Sequence, residues 1–142
     1  MTARSNVTAK CLCGQIGITV KSLPTEAGVC HCTMCRAWSC GPFMAIDCGT
    51  EVEFTGKDNI ASFASSQWAE RGFCNHCGTH LFYRLNQTGQ YMMSAGLFDA
   101  QHTFNFDHQI FIEEKPDYYC FANDTKNMTG EEVFAQFSQP NE

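Results

Sequence analysis

Hydrophobic and polar residues alternate over short stretches along most of the chain. Over residues 15–20, Ile16, Ile18 and Val20 are separated by Gly17 and Thr19, which is the period-two pattern of a half-buried strand. Similar short runs occur at 43–46, 52–54, 81–85, 91–94 and 109–112, and glycines at 14, 49, 56, 72, 78, 89 and 96 punctuate them. The pattern predicts a mainly β protein. Helical signal is confined to a short turn after Cys32 and to the C-terminal end, where Thr129-Gly130-Glu131-Glu132 resembles a capping box ahead of Val133, Phe134 and Phe137. Residues 1–9 read as a flexible N-terminus, 10–122 as the folded domain, and 123–142 as a C-terminal extension with a short helix and a frayed end.

Composition narrows the class. A chain of 142 residues and 15.9 kDa has room for one domain with a real core. Hydrophobic residues make up 44% and charged residues 17%, against roughly 25% charged in an average domain, so disorder is disfavoured. Nine Lys+Arg against 15 Asp+Glu give a formal charge of −6, with no basic run, which argues against nucleic acid as a partner. The first ten residues lack the apolar core of a secretory signal, and no stretch approaches the roughly 18 apolar residues of a membrane span. The expectation is a soluble, cytoplasmic protein without a membrane partner. Ten cysteines then become the dominant feature, because in a reducing compartment closely spaced cysteines bind metal or do chemistry more often than they form disulfides.

Seven of these cysteines form three clusters: Cys11-Leu12-Cys13-Gly14, Cys30-His31-Cys32-Thr33-Met34-Cys35, and Cys74-Asn75-His76-Cys77-Gly78. In the last, Cys-x-x-Cys-Gly makes a tight knuckle in which both sulfurs converge on one ion and the glycine closes the turn. Cys11 and Cys13 lie two apart, so on an extended strand both side chains share a face. Two such pairs suit a closed, structural Cys₄ zinc site. The middle cluster brings three sulfurs together locally, and three protein ligands with an open position is the pattern of a catalytic zinc. Spacing alone does not say which distant pair joins which. The simplest assignment places Cys11, Cys13, Cys74 and Cys77 on one ion and Cys30, Cys32 and Cys35 on another. A thioredoxin-like dithiol fits poorly, since Cys77 leads into Gly78 and a strand-like run rather than a helix. Cys40, Cys48 and Cys120 read as isolated thiols, with Cys40 close enough in sequence to reach the open site. His31 and His76 lie between ligand cysteines and read as structural and outward-facing. His80, His102 and His108 show no nucleophile partner, and Met92-Met93 reads as core.

These motifs, in order, resemble the glutathione-dependent formaldehyde-activating enzyme (GFA) family, which includes the centromere protein V group. Lys10-Cys11-Leu12-Cys13-Gly14 resembles the opening motif, and Cys30-His31-Cys32-Thr33-Met34-Cys35-Arg36 the second. Ser65-Ser66 with Glu70-Arg71-Gly72-Phe73-Cys74-Asn75-His76-Cys77-Gly78-Thr79-His80-Leu81 resembles the third. Weaker similarity at Ala95-Gly96-Leu97-Phe98-Asp99, His108-Gln109-Ile110-Phe111 and Lys115-Pro116 extends the match over roughly residues 10–121.

The resemblance implies an Mss4-like fold of twisted antiparallel sheets, with a structural zinc on Cys11, Cys13, Cys74 and Cys77. It implies a catalytic zinc on Cys30, Cys32 and Cys35, and a carbon–sulfur lyase activity that reversibly joins glutathione and formaldehyde as S-(hydroxymethyl)glutathione. Cys40 stands where the family usually carries a small residue, often glycine. Arg36, Arg71 and Arg84 are the candidates for gripping the carboxylates of glutathione. Two other classes are open: a non-catalytic zinc scaffold or thiol carrier that binds a protein, and a thiol redox enzyme using Cys120 or Cys40. Counting seven thiolates and two zinc ions changes the formal −6 to about −9.

Overall fold

Strand alternation in this chain serves two interiors. The computed structural model describes residues 3–138, and the expectations for residues 139–142 and for the Phe137 side chain lie outside what it describes. In chain order the strands are β1 (Arg4–Lys10), β2 (Gly17–Leu23), β3 (Glu26–Cys30), β4 (Phe43–Asp47), β5 (Val52–Thr55) and β6 (Ile60–Phe63). They continue with β7 (Ala69–Cys74), β8 (His80–Leu85), β9 (Tyr91–Ser94), β10 (Asn105–Ile110) and β11 (Lys126–Met128). Helix α1 (Thr33–Ser39) lies between β3 and β4, and α2 (Gly130–Ser138) follows β11. The chain is mainly β, as its alternation predicts.

Strands β1, β2 and β5 form a small antiparallel sheet, and the other eight form a larger one in the order β11-β10-β3-β4-β9-β8-β7-β6. The larger sheet is mixed rather than antiparallel throughout, because β10 runs parallel to both β3 and β11. Along β4, β8 and β9, neighbouring residues enter different cores, since successive side chains leave a strand on opposite faces. Ile46, Phe82 and Met93 pack with Ile18, Val20 and Leu23 of the small sheet and with Ile16 just ahead of it. Ala45, Tyr83 and Met92 pack instead with Phe43, Trp38, Cys30 and Cys35. The Met92-Met93 pair is core, as expected, but it is divided between the two interiors.

The folded body begins earlier than its polar N-terminal sequence suggests. β1 buries only Val7, yet it is paired with β2 from Arg4↔Leu23 to Lys10↔Gly17, so residues 4–9 are strand and not a flexible lead. At the other end the capping box is formed. The Thr129 hydroxyl accepts from the Glu132 amide at 3.1 Å, and the Glu132 carboxylate accepts from the Thr129 amide at 2.8 Å.

Candidate metal centres

The first cysteine group joins two turns. Cys11 and Cys13 lie in the connection from β1 to β2, which is a tight turn and not the extended strand their spacing suggests. Gly14, with φ 83°, closes it by donating its amide to the Cys11 carbonyl at 3.0 Å. Cys74 ends β7, and Cys77 lies in the turn to β8. There Gly78, with φ 79°, donates to the Cys74 carbonyl at 2.8 Å, the glycine-closed knuckle expected from sequence. The four sulfurs all lie within 4.8 Å of one another, with Cys11–Cys13 at 3.6 Å and Cys13–Cys74 at 3.8 Å. Tetrahedral thiolates at about 2.3 Å from zinc stand about 3.8 Å apart, so the donor set fits a closed four-sulfur site.

The surrounding amides favour sulfur in its anionic form. Ile16 N–H donates to Cys11 at 3.3 Å, and the His76 and Cys77 amides both donate to Cys74 at 3.4 Å. Thr79 ties the two turns together: its hydroxyl accepts from the Leu12 amide at 3.1 Å and donates to the Cys77 sulfur at 3.1 Å. The Thr79 bonds pull the Cys77 thiol down to about 5.

The second group is local. Cys30 ends β3, Cys32 is the N-cap of α1, and Cys35 lies one turn further on, so a strand end and a first helical turn point three sulfurs at one place. All three lie within 4.8 Å of one another, and no fourth His, Cys, Asp or Glu joins them among the described residues. The Cys32 sulfur accepts from the Cys35 amide at 3.3 Å, doing the work of a capping side chain. Cys30 and Cys35 are buried and Cys32 is half-buried, so access to the group is from the Cys32 side.

The three thiols share protons unequally. Hydrogen bonds from Cys30 and Cys35 pull Cys32 down to about 2. Cys30 is pushed up by its bonds to Cys32 and Cys35 and by burial. For Cys35 the bond with Cys30 acts downward but is outweighed by the bond with Cys32 and by burial, leaving it up at about 11.

Arg71 is fixed against this group. Its side chain is 2% exposed, both terminal nitrogens donate to the Cys35 sulfur at 3.6 Å, and Nε donates to the Ser65 hydroxyl at 3.1 Å. It is therefore not free to grip a substrate carboxylate. Of the other candidates, Arg84 pairs with Glu70 at 3.6 Å. Arg36, half-buried on α1, donates through Nε to the His31 carbonyl at 2.8 Å.

The two histidines between ligand cysteines differ. His76 is exposed, as expected, whereas His31 is fully buried and points inward. Its Nδ1 is 2.8 Å from the Tyr119 hydroxyl and its Nε2 is 2.8 Å from Gln109 Oε1. Because a Gln oxygen only accepts, Nε2 carries the proton and Nδ1 accepts from Tyr119. Gln109 passes the chain on by donating to Thr125 at 2.9 Å, and Thr125 donates to Asn127 at 2.7 Å. Burial keeps the His31 ring neutral by pulling its pKa down. Sequence reading missed Tyr119 and Gln109 because they lie 88 and 78 residues from His31.

The spare thiols stay apart from both groups. Cys40, the left-handed C-cap of α1, is exposed and outside the three-sulfur group. Cys48 is core, and burial pushes its thiol up to about 12. Cys120 is exposed. His80 is a packed ring, stacked on Trp38 at 4.2 Å between centroids. It helps line a groove of about 500 Å³ with Lys10, Leu12, Ser39, Phe43 and Thr79, into which none of the seven clustered cysteines opens.

Comparison with known proteins shows the family and the fold. The model of the glutathione-dependent formaldehyde-activating enzyme family matches residues 6–114. A Schizosaccharomyces pombe (strain 972) protein described as an uncharacterized lyase is 39% identical over 124 residues, which cover 87% of this chain and 90% of that protein. A crystal structure of a Rhodobacter sphaeroides protein superposes with a TM-score of 0.56 at 19% identity, covering 68% of this chain and 97% of that one. At that identity the likeness concerns the fold. The resemblance read from the three cysteine motifs is borne out.

Proposed function

The chain belongs to the glutathione-dependent formaldehyde-activating enzyme family, and from that premise we propose that it is a zinc-dependent carbon–sulfur lyase. Its substrate is the adduct of a small thiol, glutathione, with an aldehyde, formaldehyde, made and broken reversibly. The observation that carries this reading is the three-sulfur group of Cys30, Cys32 and Cys35, complete on one side and without a fourth protein ligand among the described residues. Cys11, Cys13, Cys74 and Cys77 hold a closed structural ion, and Cys30, Cys32 and Cys35 hold the catalytic one.

Cys30, Cys32 and Cys35 would hold the zinc ion, which would supply an open position and favour loss of a substrate thiol's proton near neutral pH. The rest is the work of the chain. The start of α1 fixes Cys32 and Cys35, β3 fixes Cys30, and the half-buried Tyr83, Met92 and Phe111 packed there limit water on the Cys30 and Cys35 side. In the synthetic direction a bond forms between thiol sulfur and carbonyl carbon. The carbonyl π pair becomes the hydroxyl oxygen's lone pair and takes up the proton released by the thiol, so no oxidant or reductant is needed. Arg36, on the helix that presents Cys32 and Cys35 and held through Nε by the His31 carbonyl, is the arginine left to attract an anionic thiol, because Arg71 is buried against Cys35 and Arg84 pairs with Glu70.

The acidic balance and the lack of a basic run argue against nucleic acid as a partner, and a cytoplasmic location suits its unpaired thiols. No described helix is long and apolar enough to cross a membrane. The discriminating experiment is a titration of the two-metal protein with glutathione, with and without formaldehyde. Faster interconversion of thiol and adduct than in buffer supports the enzyme. Saturable thiol binding without faster interconversion indicates a carrier or scaffold.

A further inference from the structure

Arg71 poses a problem in electrostatics. Guanidinium is charged at every working pH, and burying an unpaired charge costs several kcal/mol. Yet at 2% exposure Arg71 has no carboxylate within ion-pair distance among the described residues. The neighbouring Glu70 is paired with Arg84. What Arg71 does touch is the Ser65 hydroxyl, two aromatic faces and one sulfur. Its guanidinium carbon sits 5.1 Å from the Trp38 ring and 4.7 Å from the Tyr83 ring, and its two terminal nitrogens fork onto Cys35. Aromatic faces and a hydroxyl do not neutralise a full positive charge in a dry site. The counter-ion has to be on the sulfur side.

Strand geometry explains how it is aimed. Arg71 on β7 is paired with Tyr83 on β8, so both side chains leave the same face of the sheet, toward the three-sulfur group. The next residue, Gly72, pairs with Phe82 on the opposite face, and a Cβ there would overlap the Phe82 ring. The Arg-Gly dipeptide thus serves both interiors at once.

We propose that Arg71 is the built-in counter-ion of the three-cysteine metal site, a positioning residue whose fork onto Cys35 offsets the negative charge of the loaded centre. The inference rests on the reading of that group as a metal site. Three thiolates and a divalent ion sum to −1, and Arg71 brings the buried assembly to neutrality. A bound substrate thiolate then takes it to −1 instead of −2. The coupling is reciprocal: the buried Arg71 charge favours loading of the ion, and the anionic loaded centre favours the buried Arg71. Loading the site should therefore stabilise the fold through Arg71 as well as through the thiolates.

The test uses zinc competition against a chromophoric chelator on the full chain, with elemental analysis to count ions. Arg71→Met removes the charge while keeping an unbranched apolar side chain, and Arg71→Lys keeps the charge without the fork. The expected result is two zinc ions in the parent. In Arg71→Met, affinity at the three-cysteine site falls roughly ten- to a hundredfold, the range that charge-assisted bonds convert to. Arg71→Lys recovers part of the loss, and the four-cysteine site is unchanged. The rise in melting temperature on loading the second ion should be smaller in Arg71→Met than in the parent. In turnover, KM for the thiol should rise while kcat is held. A parent with two ions and an Arg71→Met variant of equal affinity and equal melting shift would overturn the counter-ion role and leave the metal reading intact. A parent that takes up one ion would overturn the metal reading itself. Should Arg71→Met fail to fold, Ser65→Ala, which removes only the bond that aims Arg71, is expected to lower the same affinity by a smaller factor, and an unchanged affinity there would overturn the proposal.

Discussion

The sulfurs of Cys13 and Cys74 stand 3.8 Å apart although 61 residues separate them in sequence. That intervening chain carries the whole three-cysteine group, so the first site is the clasp of a loop that presents the second. The Thr79 bridge from Leu12 to Cys77 and the glycine-closed turns bring the two ends to a geometry that four thiolates around one ion require.

Breaking that clasp should unfold the domain. Treated as a closure of a loop of about 60 residues, the cross-link contributes about 4 kcal/mol, a large share of a small domain's stability. Cys74→Ser is expected to lose its ion and its cooperative melting transition, seen by circular dichroism and elemental analysis. Retention of both would show that the packing of Ile16, Ile18, Val20 and Leu23 suffices without the ion.

Cys40 sits at φ 62°, ψ 27°, the left-handed end of α1, where helices usually place glycine. The conformation costs a side-chain-bearing residue about 1–2 kcal/mol, and glycine's extra unfolded freedom offsets about 0.5–1 of it. Cys40→Gly should therefore stabilise the protein by about 0.5–1 kcal/mol, a rise of about 2–4 °C in melting temperature at the upper end. A drop would mean that the exposed thiol makes a stabilising contact. The same geometry explains why this position favours a small residue and need have no part in the metal site.

His80 is stacked on Trp38, with Arg71 on the same Trp38 ring, and burial followed by the Arg71 charge pulls its pKa below the ordinary 6.5. A base whose folded pKa is depressed contributes stability that is present above the unfolded value and lost as pH falls through the folded one. Melting temperature should fall on going from pH 7.5 to below 6, and the fall should be shallower in His80→Phe than in the parent with both sites loaded. His31, buried and neutral, adds the same sign to both proteins and cancels in the comparison. Equal slopes would remove His80 from the account.

At the capping box, Thr129→Ala deletes the acceptor of the Glu132 amide bond and should destabilise α2 by about 1 kcal/mol. Because Val133 is buried and Phe134 meets Phe111 edge-on at 5.7 Å, the loss should appear as faster hydrogen exchange over both 130–136 and the end of β10. Exchange confined to the helix would show that α2 does not brace that strand.

Local chemistry was legible in the sequence wherever one segment acts alone. The alternation of Ile16, Ile18 and Val20, the glycine after Cys77 and the Thr129 box all have their meaning within a few residues, and the structure shows a strand from Gly17, a knuckle and a cap there. What was hidden depends on distant partners. β1 carries a single inward residue, Val7, so its strand exists through pairing with β2 rather than through a pattern of its own. β7 reads as polar because Arg71 lies in it, and a buried arginine makes sense only once Cys35 is known to face it. His31 was expected to point outward, since nothing near it in sequence announces Gln109 or Tyr119 as partners. The one local clue to Arg71 was the Arg-Gly pair itself, a large side chain beside none, in a segment leading straight into Cys74.

Carbon–sulfur bond chemistry is proposed for the Cys30, Cys32 and Cys35 group. Exchange spectroscopy on glutathione and formaldehyde at equilibrium reads it directly, as the rate of interconversion between free thiol and S-(hydroxymethyl)glutathione above the spontaneous rate. The parent protein should accelerate that exchange. Cys32→Ser, folded and still holding the four-cysteine ion, should return it to the rate in buffer. A folded Cys32→Ser protein that exchanges as fast as the parent would contradict the claim.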